Sequence, residues 1–406
     1  MAGIPFNLGL RMKTIGSIVT YRKGKPPKTS PHGRLPVLSP HYLRTGEIEE
    51  MAEPTSKDVV LDGGELILLW DGSNAGEFFR ARAGVLSSTM VAFDFDEEAT
   101  NPDYLYYDLK RFELELKGRT AGSGIPHVDK EVLLSRAVFE GGPREQAAAA
   151  KVLLKVDQAI EQTEVLLAKQ QRIKTGLMHD LLTRFRNTPH GKAASLSSLE
   201  QFGNHIESID SGWSPVCESE PAREGECGSL KTSAITFSGY DAKQNKRVPF
   251  RLSPLPKLFA RVDDILITRV GPRERVGVVA HIAQTPEKLM ISENMLRIRL
   301  CKQSRLLPAF VPLILNSHFV QSEWEKLKVG LAEAQVVITQ RSIRETKIPI
   351  TSPEEQERIV SIHARIQSVL HAHQEHLGKL HRLKYGLMHE LLTGTISVTP
   401  MLHTTS

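Results

Sequence analysis

A block near the middle of the chain returns 210 residues later without a gap. The first copy closes Lys174-Thr175-Gly176-Leu177-Met178-His179-Asp180-Leu181-Leu182-Thr183, and the second closes Lys384-Tyr385-Gly386-Leu387-Met388-His389-Glu390-Leu391-Leu392-Thr393. The openings match in the same register, with Pro143, Glu145 and Gln146 answering to Pro353, Glu355 and Gln356. Internal repetition at a fixed offset fixes architecture before any residue is given a role.

Each copy reads as one helix. Leu153, Val156, Ile160, Thr163, Leu167, Gln170, Lys174, Leu177 and Leu181 step by three and four, and His363, Ile366, Leu370, His373, Leu377, Leu380, Lys384, Leu387 and Leu391 repeat the rhythm. A seven-residue apolar seam is a coiled-coil pattern. With no internal proline, each copy is expected to span roughly 38 residues, about 57 Å at 1.5 Å per residue. Pro143 and Pro353 fit a first helical turn, where the missing N–H costs nothing and acidic neighbours suit the helix dipole. Polar seam residues weaken such a coil while specifying register. Gly176 and Gly386 cost about 1 kcal/mol each in a helix interior. They mark either fraying ends or a place of close helix crossing or partner docking, and their recurrence favours the second.

Between the helices lie two blocks that share an order of events. In the first, strands are expected at 15–21, 65–70 and 89–95, and an Asn101-capped helix through Lys117. In the second, strands are expected at 233–237, 264–268, 276–282 and 295–300, with a helix over 308–328. Glycine-bearing loops follow at 118–124 and 330–335. The chain divides into block 1–142, helix 143–184, a Ser/Asn/Gly-rich linker 185–210, block 211–352, helix 353–396 and tail 397–406. The fold class is α+β, a tandem repeat with approximate two-fold symmetry.

Composition excludes little but usefully. No apolar run is long enough to span a membrane, and the N-terminus lacks a secretion signal. Cys217, Cys227 and Cys301 form no C-x-x-C pair, which points to a reducing cytoplasm without a disulfide framework or zinc site. The net charge of +5 permits nucleic-acid binding without requiring it. Catalytic signatures are decoys. Asn101-Pro102-Asp103-Tyr104 is only near a base-flipping methyltransferase loop and reads as a capped helix start. The Gly-Lys pairs at 24, 191 and 378 lack the Ser or Thr of a phosphate loop. Asp108-Leu109-Lys110 reads as an exposed helix face, and His371, His373 and His376 as a solvated helix surface rather than a metal site. No serine elbow is present. No catalytic or metal residue is expected.

Positive charge gathers on turns instead. Arg22, Lys23, Lys25, Arg80, Arg82, Lys117 and Arg119 serve the first block; Lys243, Lys246, Arg247, Arg269, Arg273, Arg275, Gln340 and Arg341 serve the second. Arg and Lys suit phosphates, and Arg and Gln can read guanine and adenine edges. These residues are the expected contacts to double-stranded DNA.

The duplicated Pro-x-Glu-Gln openings and Lys-x-Gly-Leu-Met-His-[Asp/Glu]-Leu-Leu-Thr closings resemble the specificity subunit of type I restriction–modification systems. Gly228-Ser229-Leu230-Lys231-Thr232-Ser233-Ala234 and Val262-Asp263-Asp264-Ile265-Leu266-Ile267-Thr268-Arg269 are similar to stretches of its target-recognition domains. Cys227 departs from the aromatic residue expected there. The resemblance implies two target-recognition domains on an antiparallel two-helix coiled coil, each reading half of a split DNA site. It implies no catalysis and no cofactor in this chain. Two modification subunits would bring S-adenosylmethionine and methylate adenine, and restriction subunits would bring ATP- and magnesium-dependent translocation and cleavage. Lys174, Gly176, Met178, His179, Lys384, Gly386, Met388 and His389 are the candidate partner-docking residues. The competing readings are a coiled-coil scaffold or DNA-binding regulator without such partners, and an enzyme with an unrecognised site.

Overall fold

The computed structural model describes residues 12–119, 125–183, 198–330 and 335–396. Both repeats are single helices, Pro143–Thr183 of 41 residues and Pro353–Leu392 of 40. Every seam residue named above is buried or half-buried, while their neighbours on the opposite faces are exposed. His373 lies in the seam, whereas His371 and His376 face outward. The second helix is followed by Gly394 at φ 70°, a left-handed position at which a Cβ would meet the Phe139 ring at 2.9 Å.

The chain forms two compact units, and the division falls within the helices rather than at their ends. Unit 1 is Met1–Val165 with Glu375–Ser406, and unit 2 is Leu166–Gln374. Each unit therefore holds one block and half of each long helix. In unit 1, Ala149, Ala150 and Leu153 share a core with Leu391 and Leu392, and Asp157 meets Lys384 at 2.7 Å. In unit 2, Leu181 and Leu182 share a core with Ile359, against which Leu177, Met178 and Ile362 pack. Within each unit the two half-helices run antiparallel.

Each unit is α+β, and the central sheets of the two blocks share one strand order. The central antiparallel sheet of unit 1 has the order Val19–Lys23, Met90–Phe95, Leu66–Leu69, Phe78–Arg80; that of unit 2 has Ile206–Ser211, Met295–Leu300, Ile265–Thr268, Val279–His281. A parallel pair lies beside each sheet, Leu35–Leu38 with Gly84–Leu86 in one and Gly228–Leu230 with Leu289–Met290 in the other. Alternation puts Leu66, Leu68, Val91 and Phe93 of unit 1 against the helix Pro102–Gly118, and Ile265, Ile267, Leu296 and Ile298 of unit 2 against Phe310 and Trp324.

Several expectations need correction. Ile15–Ile18 is a short helix, and the strand begins at Val19. Residues 198–210 are not linker: Ser198–Gln201 pairs with Lys347–Ile350, and Ile206–Ser211 is the first strand of the central sheet. Phe202 and Ile206 anchor this stretch in the core, which its polar neighbours conceal in the sequence. The remainder of the linker reading, the tail 397–406 and most of both glycine loops lie outside the described residues. The helix expected over 308–328 is two, Val311–Leu315 and His318–Leu327, because Ser317 accepts from the Val320 N–H and starts a new helix. The 101–117 helix begins as expected, with the Asn101 side chain accepting from the Tyr104 N–H.

Within the seam, the surroundings of His363 oppose its protonation. Burial, and then the charge of Lys174, push the His363 imidazole down to about 4. An unfolded histidine titrates near 6.5, so its folded form resists protonation. Stability should therefore be intact above pH ~6.5 and fall as pH drops toward ~4, where the unfolded chain binds the extra proton. His363→Leu copies Leu153 at the equivalent first-helix position. Its stability should diverge upward from the parent as pH falls through this window. Parallel denaturation midpoints from pH 7 to 4.5 would show that His363 is not the group responsible.

Candidate nucleic-acid interface

The rim of each central sheet is built from the same three segments. In unit 1 the strand Leu66–Leu69 runs out at Trp70, whose N–H donates to the Thr89 carbonyl at 2.8 Å and whose carbonyl accepts from Val128 N–H at 3.0 Å. In unit 2 the strand Ile265–Thr268 runs out at Arg269, whose N–H donates to the Asn294 carbonyl at 2.8 Å and whose carbonyl accepts from Ile338 N–H at 3.1 Å. Trp70 and Arg269 thus occupy one structural position. Strand register pairs Lys23 with Val91 and Ser211 with Leu296, so Lys23 and Ser211 share another.

The side chains on these matched backbones differ. In unit 1 the Trp70 ring stacks on Tyr21 at 5.1 Å. Lys23 Nζ donates to Asp71 at 2.8 Å, and Asp71 also meets His127 Nδ1 at 2.5 Å. Burial pushes the Asp71 carboxyl up, but the bonds from Lys23 and His127 outweigh it and hold it below its ordinary range. In unit 2 Arg269 Nη1 donates to Ser211 Oγ at 3.2 Å, and Val270–Gly271 pairs with Val336–Val337. One rim offers an aromatic face beside a Lys–Asp–His chain; the other offers a guanidinium and a hydroxyl. Trp70, Tyr21, Asp71, His127 and Ser211 were missed by reasoning from positive charge. Matching Trp70 to Arg269, each one residue beyond a strand, is the signal that finds them.

The basic candidates separate into two groups. Many are paired with carboxylates. Arg22 grips Asp94 through two bonds of 2.8 Å, Arg80 pairs with Asp103 and lies 4.5 Å over the Tyr106 ring, and Lys117 and Arg119 pair with Glu113 and Glu115. Arg247 is held by Glu218 and Glu226, Arg273 by Glu325 at 2.8 Å, and Arg341 by Glu345 at 2.7 Å. Arg275 donates to the carbonyls of Thr232 and Ile235 and tethers a turn. Exposed pairs of this kind are weak and can exchange a carboxylate for a phosphate. Lys25, Lys243, Lys246 and Gln340 are exposed and have no ion pair among the described residues, and Arg82 lies 5.4 Å over the Tyr42 ring. These are better placed to meet a phosphate or base without first breaking a bond.

The docking candidates also separate. Met178 and Met388 pack partly into the cores of units 2 and 1. Lys384 is engaged with Asp157 and lies 5.6 Å from the Tyr107 ring centre, whereas Lys174 is half-buried and its ammonium is pushed down by burial. His179 and His389 are exposed. Close helix crossing does not explain the glycines, because a Cβ on Gly176 or Gly386 would meet nothing within 4 Å. Among the described residues no group of His, Cys, Asp and Glu is arranged to hold a metal, and no helix is long and apolar enough to cross a membrane.

The chain is similar to several known proteins. A family model described as the type I restriction modification DNA specificity domain matches residues 7–169. The type I restriction enzyme MjaVIII specificity subunit of Methanocaldococcus jannaschii is 28% identical, with 95% of this chain and 92% of that protein covered. The EcoEI specificity subunit of Escherichia coli is 35% identical over 40% of this chain and 27% of its own. Among solved structures, the type I restriction–modification S subunit of M. genitalium superposes with a TM-score of 0.61 at 14% identity, covering 96% of this chain and 98% of that one. At this identity the superposition speaks to the fold.

Proposed function

We propose, from the premise that this chain belongs to the specificity subunits of type I restriction–modification systems, that its two blocks each read one half of a split DNA target. As a specificity subunit it binds DNA and works in a complex with the other subunits, which hold the catalytic activities. The observation that carries the split-site reading is the repeated rim. The same three backbone segments present Lys23, Trp70, Asp71 and His127 in one unit and Ser211, Arg269 and Val270 in the other. A shared scaffold with unlike side chains is what two readers of unlike half-sites require, since base edges are told apart by donors, acceptors and apolar contacts.

Two modification subunits would supply S-adenosylmethionine and methylate adenine at the site selected here. Restriction subunits would supply ATP- and magnesium-driven translocation and cleavage. The reading is tested by Arg269→Ala and by the double change Lys243→Ala with Lys246→Ala. The first should weaken binding about tenfold and relax the letters of one half-site only, as loss of a base-reading arginine does. The second should weaken binding to all sequences alike and flatten its salt dependence, as loss of phosphate contacts does. Equal relaxation of both half-sites by Arg269→Ala would remove the one-block, one-half assignment.

The open space at Gly176 and Gly386 supports their use as docking points for modification subunits. Gly176→Leu and Gly386→Leu should leave the fold at least as stable, because glycine costs a helix about 1 kcal/mol, while reducing co-purification of the modification subunit. Undiminished co-purification of both variants would end that role.

A further inference from the structure

Unit 2 contains a cavity of about 400 Å³ between the end of the first long helix and the sheet. Unit 1 shows what fills the matching place. Sheet register aligns Arg80 with His281, through Leu66↔Arg80 and Ile265↔His281. The side-chain oxygens of Gln146 and Gln356 accept from the N–H groups of Asn101 and Leu307, which aligns Tyr106 with Pro312 and Tyr107 with Leu313. Three large side chains of unit 1 thus become His281, Pro312 and Leu313, and all three line the cavity.

The charges change with the volume. In unit 1 the Tyr107 hydroxyl donates to Asp157 at 2.7 Å, and Asp157 pairs with Lys384. At the constant 210-residue offset Lys384 becomes Lys174, while Asp157 becomes Gln367. The cation is kept, and its anion and the two rings are lost. Lys174 lines the cavity with His363 and has no ion pair among the described residues. A half-buried ammonium beside apolar walls favours a ligand that returns both missing parts.

We infer that this cavity binds a small aromatic carboxylate, with its ring in the space of Tyr106 and Tyr107 and its carboxylate on Lys174. The site would make the chain responsive to a metabolite-sized anion, and it stands apart from the DNA-reading rim.

Isothermal titration of the full chain with 2-naphthoate tests this, with 2-naphthamide as the uncharged isostere. The expected result is one saturable site for the acid and binding at least about tenfold weaker for the amide, as loss of a charge-assisted bond predicts. Lys174→Met should weaken the acid by a similar factor. Leu313→Tyr, which restores the unit 1 ring, should abolish binding. Gln367→Asp, which supplies an internal anion, should weaken binding and keeps the test decisive should Leu313→Tyr fail to fold. Absence of saturable binding, equal binding of acid and amide, or indifference to Lys174→Met and Gln367→Asp would overturn the assignment. Stoichiometric displacement of 2-naphthoate by a modification subunit would also overturn it, by giving the cavity to a protein side chain.

Discussion

Gln356→Ala will destabilise unit 2 by about 3 kcal/mol. The side chain is fully buried at the start of the second long helix. Its Oε1 accepts from Leu307 N–H at 2.8 Å, and its Nε2 donates to the carbonyls of Arg305 at 2.8 Å and Thr351 at 2.9 Å. Truncation leaves three backbone groups without partners, and an unsatisfied buried group costs about 1–3 kcal/mol. Gln146 does the same work in unit 1, accepting from Asn101 N–H and donating to the Gly141 carbonyl at 2.8 Å each. The effect should be read as faster hydrogen exchange at Leu307 together with a lower denaturation midpoint. A Gln356→Ala chain with unchanged exchange at Leu307 would mean that the helix start is held by other contacts.

These glutamines explain why the openings of the repeats were legible. Pro-x-Glu-Gln is a physical device, in which proline sets the first turn and glutamine ties that turn to the block. The offset of 210 holds from the helix Lys130–Ser135, matched by Gln340–Glu345, through both long helices. Upstream it drifts: Leu66 answers to Ile265 at 199 and Val19 to Ile206 at 187, because the second block carries insertions. The block duplication was therefore only faintly visible in one dimension, although strand order reveals it directly. Positive charge was a poor guide to the rim for a different reason. Arg22, Arg247 and Arg341 each sit beside carboxylates that are distant in sequence or one helical turn away, and nothing in the local sequence separates them from Lys25 and Lys246, which have no ion pair among the described residues. In the rim of unit 1 a search for cations finds Lys23 but not Tyr21, Trp70, Asp71 and His127 beside it.

Adding one heptad at matched points of both long helices will lengthen the unread gap between half-sites by about three base pairs. Seven residues add about 10.5 Å of helix, and duplex DNA rises about 3.4 Å per base pair. The helices Pro143–Thr183 and Pro353–Leu392 are each continuous, and the proposed reading makes them the spacer. A heptad preserves the seam, whereas four residues added to one helix shift its apolar stripe against its partner. The four-residue variant should therefore alter the permitted gap at a cost in stability, and the paired heptad variant should alter it without one. The half-site letters should be the same in both, because the rims are untouched.

The most direct test is single-molecule mapping of methyladenine in DNA from a methylation-free host expressing this chain with a candidate modification subunit. The account predicts one split motif, two fixed half-sites at a single spacing, that moves only in spacing when both helices gain a heptad. A continuous motif, a motif of variable spacing, or methylation that follows the modification subunit when this chain is omitted would contradict it.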